Sequence, residues 1–480
     1  MLIAIKSSDD AGMQIWYGNK HILAEPCDGA MLNGTVCTRS GAFPRSEVVG
    51  LNFSVSRQIS GQQAAHRTPK MDMDRHAPGN CIYCGQPGPF SDEHVICAGL
   101  GADDPRWLLQ GCVCSCCNTR VFSKLETKLL RSSPIAVARL FAQPLSRRRS
   151  GKTNAPTVQP RVSYFTEPGT GLQLEADLVS GGALTVLPQV LMLLPDQAAV
   201  RARDFASAEA FVTLLQNALG DAVNLIRKQH DGFEVIFCVT PLHWEDGMYV
   251  IGEATIERRP LEKGVWIEPL TLPSTAVKTD LLPPRIFQRH SGQLVCRIDG
   301  IDLAASLMSV LRVNPICLTP PAFPGTSAGE LQPVVQQRYA FNRRSFERVL
   351  TKIGLNLIAH LLGIGLIRDS AFDAAVAFAR FDTGSVCKYS IDRVADVAGA
   401  LGRPLIDRHL FMLVRAPAQN GSSAIICVIQ LYNTAAEFIK LAEMPNTVDV
   451  LERPIVILVD YMENVIKTLT LEEHMEACVN

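Results

Sequence analysis

Apolar residues recur three or four positions apart in five stretches of the chain, the spacing that places them on one face of a helix. The stretches with this pattern are 121–130, 135–141, 206–227, 346–361 and 371–381. Two of them also carry a start signal. Ser133 precedes Pro134, the arrangement of an N-cap followed by proline at the first helical position, and Asn342 can cap the helix that follows it. The pattern therefore predicts five helices.

Other stretches are short, apolar or alternating, and bounded by turn residues, which is typical of strands. The predicted strands are 161–165, 172–178, 233–239, 248–256, 294–298, 410–414, 424–432 and 455–458. A helical tail is expected to begin near Tyr461. Helices and strands in this mixed order predict an α+β fold.

A chain of 480 residues is too long for one compact domain, because single domains usually hold about 100 to 200 residues. Composition changes suggest where the divisions fall. We expect a poorly structured or extraneous N-terminal segment (1–75), a cysteine-rich module (79–142), a basic linker (143–160), an α+β domain (161–312), a Pro/Gly-rich linker (313–335) and an α+β C-terminal domain (336–480).

Charge is distributed unevenly along the chain. The whole sequence has a net charge of −1, yet residues 75–152 hold eleven Lys and Arg against five Asp and Glu, a net of +6. Basic side chains bind nucleic acids through their phosphates, whatever the base sequence. The local excess favours a nucleic acid as partner, with DNA preferred, although a solvated helix face plus a basic linker would give the same count.

Fifteen cysteines, no N-terminal signal sequence and no apolar run of membrane-spanning length indicate a soluble protein of a reducing compartment, the cytoplasm. With 47% hydrophobic residues, the chain can bury sizeable cores.

Two Cys-x-x-Cys pairs, Cys81/Cys84 and Cys114/Cys117, stand out among these cysteines. Each pair can form a turn that directs both sulfurs at one ion, and two such turns complete the tetrahedral shell of a structural zinc ion. Cys112 and Cys116 interleave the second pair, so a shifted ligand set such as Cys112/Cys114 stays open. We favour Cys114/Cys117 because that pair has the two-residue spacing.

The segments CIYC (81–84), EHVICAGLGA (93–102) and CSCCN (114–118) resemble the HNH endonucleases, in particular a subgroup with the pattern CxxC, EHIIPxxLGG and CxxCN before a helix. The resemblance covers about a tenth of the chain, within residues 79–142. It implies a zinc-stapled ββα-metal module, in which a hairpin and a helix pinch a divalent metal, and hydrolysis of phosphodiester bonds. The stretch from residue 352 onward resembles C-terminal regions that accompany this subgroup in bacteria.

The resemblance also implies roles for individual residues. His94 would be the general base, and Glu93 and Asn118 would be catalytic residues that hold Mg²⁺ or Mn²⁺. Imidazole suits a base near neutral pH, and hard cations prefer oxygen ligands. The basic residues expected to contact backbone phosphates are Arg120, Lys124 and Lys128.

Two alternatives stay open. His94 would be a structural histidine if the module had no catalytic activity, and the chain would then be a zinc-containing protein that only binds nucleic acid or another protein. The larger C-terminal part would select the target or bind a partner, and a protein partner or homodimer is compatible with the sequence.

Overall fold

The structure of the chain is a computed structural model. The residues it describes are 3–8, 12–17, 20–27, 31–38, 75–145, 147–149, 152–194, 197–231, 234–271, 281–314, 334–339, 341–384, 407–418, 421–446 and 450–479.

These residues contain α-helices throughout the second quarter and the C-terminal half of the chain. In chain order they are α1 (Ser123–Arg131), α2 (Pro134–Ala142), α3 (Phe205–Ala218), α4 (Ile301–Val313), α5 (Arg343–Leu361), α6 (Ile364–Ile367), α7 (Asp373–Phe381) and α8 (Leu471–Val479).

Strands occur in every part of the chain. They are β1 (Ile3–Ser8), β2 (Gly12–Tyr17), β3 (Lys20–Cys27), β4 (Met31–Thr38), β5 (Glu93–His94), β6 (Leu108–Leu109), β7 (Arg147–Arg149), β8 (Lys152–Asn154), β9 (Val162–Thr166), β10 (Gln173–Val179), β11 (Ala183–Val186), β12 (Gln189–Leu194), β13 (Gln197–Arg201), β14 (Ala222–Asp231), β15 (Glu234–Glu245), β16 (Met248–Ile251), β17 (Thr255–Glu257), β18 (Val265–Glu268), β19 (Arg285–Gln288), β20 (Leu294–Arg297), β21 (Val334–Tyr339), β22 (Arg408–Pro417), β23 (Ser422–Gln430), β24 (Glu437–Pro445), β25 (Ile455–Asp460) and β26 (Val465–Thr470). The predicted mixed α+β class is confirmed.

The strands form three large sheets and two short hairpins. The eight-stranded sheet has the order β1-β2-β3-β4-β21-β9-β10-β11. The nine-stranded sheet has the order β13-β12-β19-β20-β18-β14-β15-β16, with β17 also paired to β15, and the five-stranded sheet has the order β24-β23-β22-β25-β26. β5 pairs with β6 and β7 with β8, each pair antiparallel.

The nine-stranded sheet has its own core. Helices α3 and α4 pack their apolar faces on it, with Phe211 and Leu215 from α3 and Met308 and Leu311 from α4. Leu225 of β14 joins the same buried cluster. The apolar faces of α3 and α4 and the buried side chains of β14 therefore form one core on this sheet.

A second core joins the cysteine-rich module to the C-terminal half of the chain. Tyr83 and Phe122 of the module are buried in one cluster with Leu350 and Leu357 of α5 and with Phe411 of β22. The five-stranded sheet contributes alternate residues to this cluster, because successive side chains of a strand point to opposite faces. The module thus lies directly against α5, over 200 residues later in the chain.

One helix prediction is wrong over its second half. The stretch 206–227 was expected to be a single helix, but α3 ends at Ala218 and β14 begins at Ala222. Glycine has high conformational freedom and often ends helices, and Gly220 lies between the two elements. Val223, which matched a helical spacing, alternates with Leu225 as a buried residue of β14.

The structure describes the predicted N-terminal segment and the two predicted linkers to different extents. Residues 3–38 of the N-terminal segment contain β1 to β4, whereas 39–74 lie outside the described residues. The basic segment 143–160 contains the β7–β8 hairpin. Most of the Pro/Gly-rich segment, 315–333, lies outside the described residues. The tail after Tyr461 forms β26 before α8 begins at Leu471.

Candidate metal centre and hairpin site

The four cysteines of the two pairs lie together in the interior. The Sγ atoms of Cys81, Cys84, Cys114 and Cys117 all lie within 4.8 Å of one another, and all four residues are buried. The Sγ–Sγ distance is 3.9 Å between Cys81 and Cys117 and 3.5 Å between Cys84 and Cys114. A tetrahedral zinc site with Zn–S bonds of about 2.3 Å has sulfur–sulfur edges of about 3.8 Å. The four sulfurs therefore fit a metal ion such as zinc.

Backbone amides donate hydrogen bonds to two of the four sulfurs. The amide of Cys114 donates to Cys81 Sγ at 3.3 Å, and the amide of Cys117 donates to Cys114 Sγ at 3.4 Å. The hydrogen bond between Cys81 and Cys117 lowers the pKa of Cys81 and raises the pKa of Cys117. Thiolates are the form of cysteine that binds metals.

The shifted ligand set is not supported by the structure. Cys112 is buried but stands outside the four-sulfur group, and burial raises its pKa to about 11. Cys116 is half-buried and also stands outside the group. The sequence preference for Cys114 and Cys117 agrees with this geometry.

An arginine from the C-terminal half contacts the sulfur cluster. Arg380 of α7 donates from Nε to Cys117 Sγ at 2.9 Å. Burial alone would lower the pKa of Arg380, but the sulfurs of Cys117, Cys84 and Cys116 together raise that pKa. Four thiolates around a Zn²⁺ ion carry two excess negative charges, and the guanidinium offsets part of them. Sequence spacing gave no sign of this partner.

A short hairpin and a helix flank the cluster. Glu93 of β5 pairs with Leu109 of β6, and His94 pairs with Leu108. The chain then forms a π-helical turn (Cys116–Phe122) that continues into α1. The described chain therefore has a pair of short antiparallel strands followed by a helix.

Asn118 ties the start of the helical segment to the hairpin. Its Nδ2 donates to the backbone carbonyl of Asp92 at 2.8 Å and lies 3.2 Å from Ser91 Oγ. Both partners immediately precede β5. Asn118 thereby fixes the distance between the hairpin and the second cysteine pair.

Glu93 faces the interior of the protein. Its side chain is only 3% exposed and its Oε1 forms an ion pair with Lys352 Nζ of α5. The same ammonium lies 2.6 Å from Glu126 Oε1 of α1. Burial raises the pKa of Glu93, and although burial would lower the pKa of Lys352, the carboxylates of Glu126 and Glu93 raise it. Two carboxylates therefore share one buried cation.

His94 faces the other way, because neighbouring residues of a strand point to opposite sides. Its side chain is 24% exposed, and its Nε2 lies 3.8 Å from Asp103 Oδ1. From the interior, the backbone carbonyl of His94 accepts hydrogen bonds from Lys352 Nζ at 3.3 Å and from Asn356 Nδ2 at 3.1 Å. The peptide is held from inside while the imidazole reaches the surface.

Asp103 is the site residue that the sequence analysis missed. It follows a turn at Gly101, whose φ of +78° lies in the left-handed region and whose Cβ, if present, would lie 2.5 Å from the backbone of Tyr461. That turn returns the chain toward the hairpin and brings Asp103 beside His94. The sign of this residue in the sequence was its position, an acidic residue two positions after the Leu100-Gly101 pair.

The three basic residues predicted to contact phosphates lie on the surface of the helical segment that follows the second cysteine pair. Arg120, Lys124 and Lys128 are exposed and four positions apart, in the π-helical turn and α1. Residues four apart lie on one helix face. Together they form a row of positive charge that we call the basic ridge.

Comparisons with protein-family models, with curated proteins and with solved structures gave no match. No family is assigned on that basis.

The catalytic magnesium or manganese ion implied by the resemblance is not supported by this arrangement. Glu93 turns inward to Lys352, His94 turns outward to Asp103, and Asn118 donates to the hairpin backbone. Within the described part of the chain, the four cysteines are the group of three or more His, Cys, Asp and Glu placed to share an ion.

None of the helices in the described part of the chain is long and apolar enough to cross a membrane.

Proposed function

We propose that this chain is an HNH-type endonuclease that hydrolyses phosphodiester bonds of a nucleic acid, with His94 as its general base. The observation that supports this best is the pair formed by His94 and Asp103 on the outer side of the zinc-stapled hairpin, with Nε2 and Oδ1 3.8 Å apart. A base must reach both substrate and water, and the imidazole is partly exposed.

In this proposal each residue of the pair has one task. Neutral His94 takes a proton from the attacking water, and the Asp103 carboxylate stabilises the imidazolium that forms. The interior hydrogen bonds to the His94 carbonyl hold its backbone in position while the proton moves. Cys81, Cys84, Cys114 and Cys117 would hold a zinc ion, which would stabilise the fold and leave the chemistry to His94.

The basic ridge supplies affinity for the substrate. Arg120, Lys124 and Lys128 are exposed on one helical segment and would contact the phosphates of the substrate. Each phosphate contact releases condensed counterions, so binding should weaken steeply as salt rises.

The test is a nicking assay on supercoiled plasmid with zinc-loaded protein, without added metal and with Mg²⁺ or Mn²⁺. We expect His94→Ala to abolish nicking and Asp103→Asn to reduce it, since general-base catalysis contributes about 10²- to 10⁴-fold. The matched control is His360→Gln. His360 lies on α5, and its ring also contacts the module, because its centroid is 4.6 Å from the ring centroid of Trp107. Nicking that persists in zinc-loaded His94→Ala would refute the catalytic proposal.

A second candidate is a nucleic-acid-binding protein without nuclease activity. It is favoured by one observation, the buried pairing of Glu93 with Lys352, which leaves Glu93 without access to a substrate. This candidate predicts salt-sensitive binding that is lost on Arg120→Ala/Lys124→Ala/Lys128→Ala, and no cleavage by the wild type under any metal condition.

A further inference from the structure

The amino group of Lys352 lies in a pocket of oxygen atoms at the base of the hairpin. It pairs with Oε1 of Glu93, lies 2.6 Å from Oε1 of Glu126 and donates at 3.3 Å to the backbone carbonyl of His94. The three oxygens come from β5 and α1, the two elements between which the resemblance implies a metal.

The composition of this pocket is that of a hard-cation site. Two carboxylates and a backbone carbonyl are the ligands that Mg²⁺ and Mn²⁺ select. They also match an ammonium, which has three N–H donors and needs three acceptors when buried. Lys352 thus supplies one positive charge and three hydrogen-bond donors to the pocket from the chain itself, while Oε2 of Glu93 has no hydrogen-bond partner.

Neighbouring groups keep Lys352 in this position. Its side chain is 1% exposed. Asn356, one helical turn further along α5, donates to the same His94 carbonyl and accepts from the hydroxyl of Tyr83 at 2.6 Å. A lysine enclosed in this way has no route to solvent without movement of α5.

We propose that the ammonium of Lys352 takes the place of a divalent cation at the hairpin, so that Glu93 is not a metal ligand in this protein. Its role is that of a positioning residue, which forms ion pairs with Glu93 and Glu126 and holds the peptide of His94. The proposal holds whether the module cleaves nucleic acid or only binds it.

The test measures Mn²⁺ binding to the zinc-loaded full chain by electron paramagnetic resonance of free Mn²⁺. Wild type is compared with Glu93→Gln, which keeps the side-chain volume but removes the charge. The matched control is Glu175→Gln, because Glu175 is equally buried and lies 2.7 Å from Arg297 in the interior, away from the hairpin.

We expect Glu93→Gln and wild type to have Mn²⁺ dissociation constants within about two-fold of each other, or no measurable binding in either protein. A ten-fold or larger weakening by Glu93→Gln, absent in Glu175→Gln, would overturn the proposal. This readout does not depend on cleavage, so a protein that fails to nick DNA still tests it.

A double-mutant cycle tests the pairing itself. Lys352→Met leaves the buried carboxylate of Glu93 and the partly exposed carboxylate of Glu126 without their cation and should lower Tm by several degrees, and Lys352→Met/Glu93→Gln should recover part of that loss. Purely additive effects of the two changes would contradict the pairing. If Lys352→Met does not fold, the Mn²⁺ comparison on Glu93→Gln decides alone.

Discussion

Replacement of Arg380 by methionine should weaken zinc binding without removing any zinc ligand. The change keeps much of the apolar stem but deletes the donor that lies 2.9 Å from Cys117 Sγ. The thiolate would then lose a charge-assisted hydrogen bond inside a partly buried site.

The size of the effect can be worked from that contact. A hydrogen bond to a charged group contributes about 1.5–3 kcal/mol. Since each 1.4 kcal/mol corresponds to a factor of ten, the zinc dissociation constant should rise about 10- to 100-fold. The same range is typical when a group that hydrogen-bonds a metal ligand is removed from a protein.

The assay is competition for zinc between the folded protein and a chromophoric chelator of known affinity. Arg348→Met is the matched control, because Arg348 donates to the carbonyls of Ala379 and Arg380, each at 3.1 Å, and so holds the same end of α7 without touching sulfur. Arg380→Lys, which keeps the charge, should fall between. An Arg380→Met protein that loses zinc no more readily than Arg348→Met would refute the reasoning.

Two further predictions concern stability. Tyr83→Phe should lower the free energy of unfolding by about 1–3 kcal/mol, because it leaves the buried Asn356 Oδ1 without the donor now 2.6 Å away; an unchanged urea midpoint would contradict this. Burial lowers the pKa of His409 to about 3, so the folded state keeps this histidine neutral while the unfolded chain protonates it below about pH 6.5. The stability from His409 is therefore complete above that pH and is lost as pH falls toward 3. Between pH 7 and 5, wild type should lose about 2 kcal/mol more than His409→Gln, and equal losses in urea titrations at the two pH values would rule the effect out.

Local signals predicted the local elements well. Ser133 caps α2 through a hydrogen bond from the amide of Ala136, and Asn342 caps α5 by accepting from the amide of Ser345 at 2.8 Å. Caps and helix spacing act within one turn, so they can be read directly from the chain. The error at 206–227 arose because Val223 satisfies both a helical and an alternating pattern, and only the break at Gly220 separates them.

The contacts at the site that the sequence could not predict join residues far apart along the chain. The zinc ligands were predictable, because the two cysteines of each pair are separated by only two residues. Lys352, Asn356 and Arg380 meet the module from far along the chain, and none of them belongs to a motif. Glu93 was a reasonable metal ligand on sequence grounds, and its inward orientation depends on a lysine that no spacing rule connects to it.

The hydrogen bonds from Lys352 and Asn356 to the His94 carbonyl span 258 and 262 residues of chain. On a ribosome adding about 5–20 residues per second, roughly 13–50 s pass between synthesis of the hairpin and arrival of its partner helix. During that interval the face of the module that meets α5 is uncovered and Glu93 has no counter-ion. The nascent chain therefore has the cysteines needed to bind zinc well before it can finish the core around them, and the C-terminal half determines when the module matures.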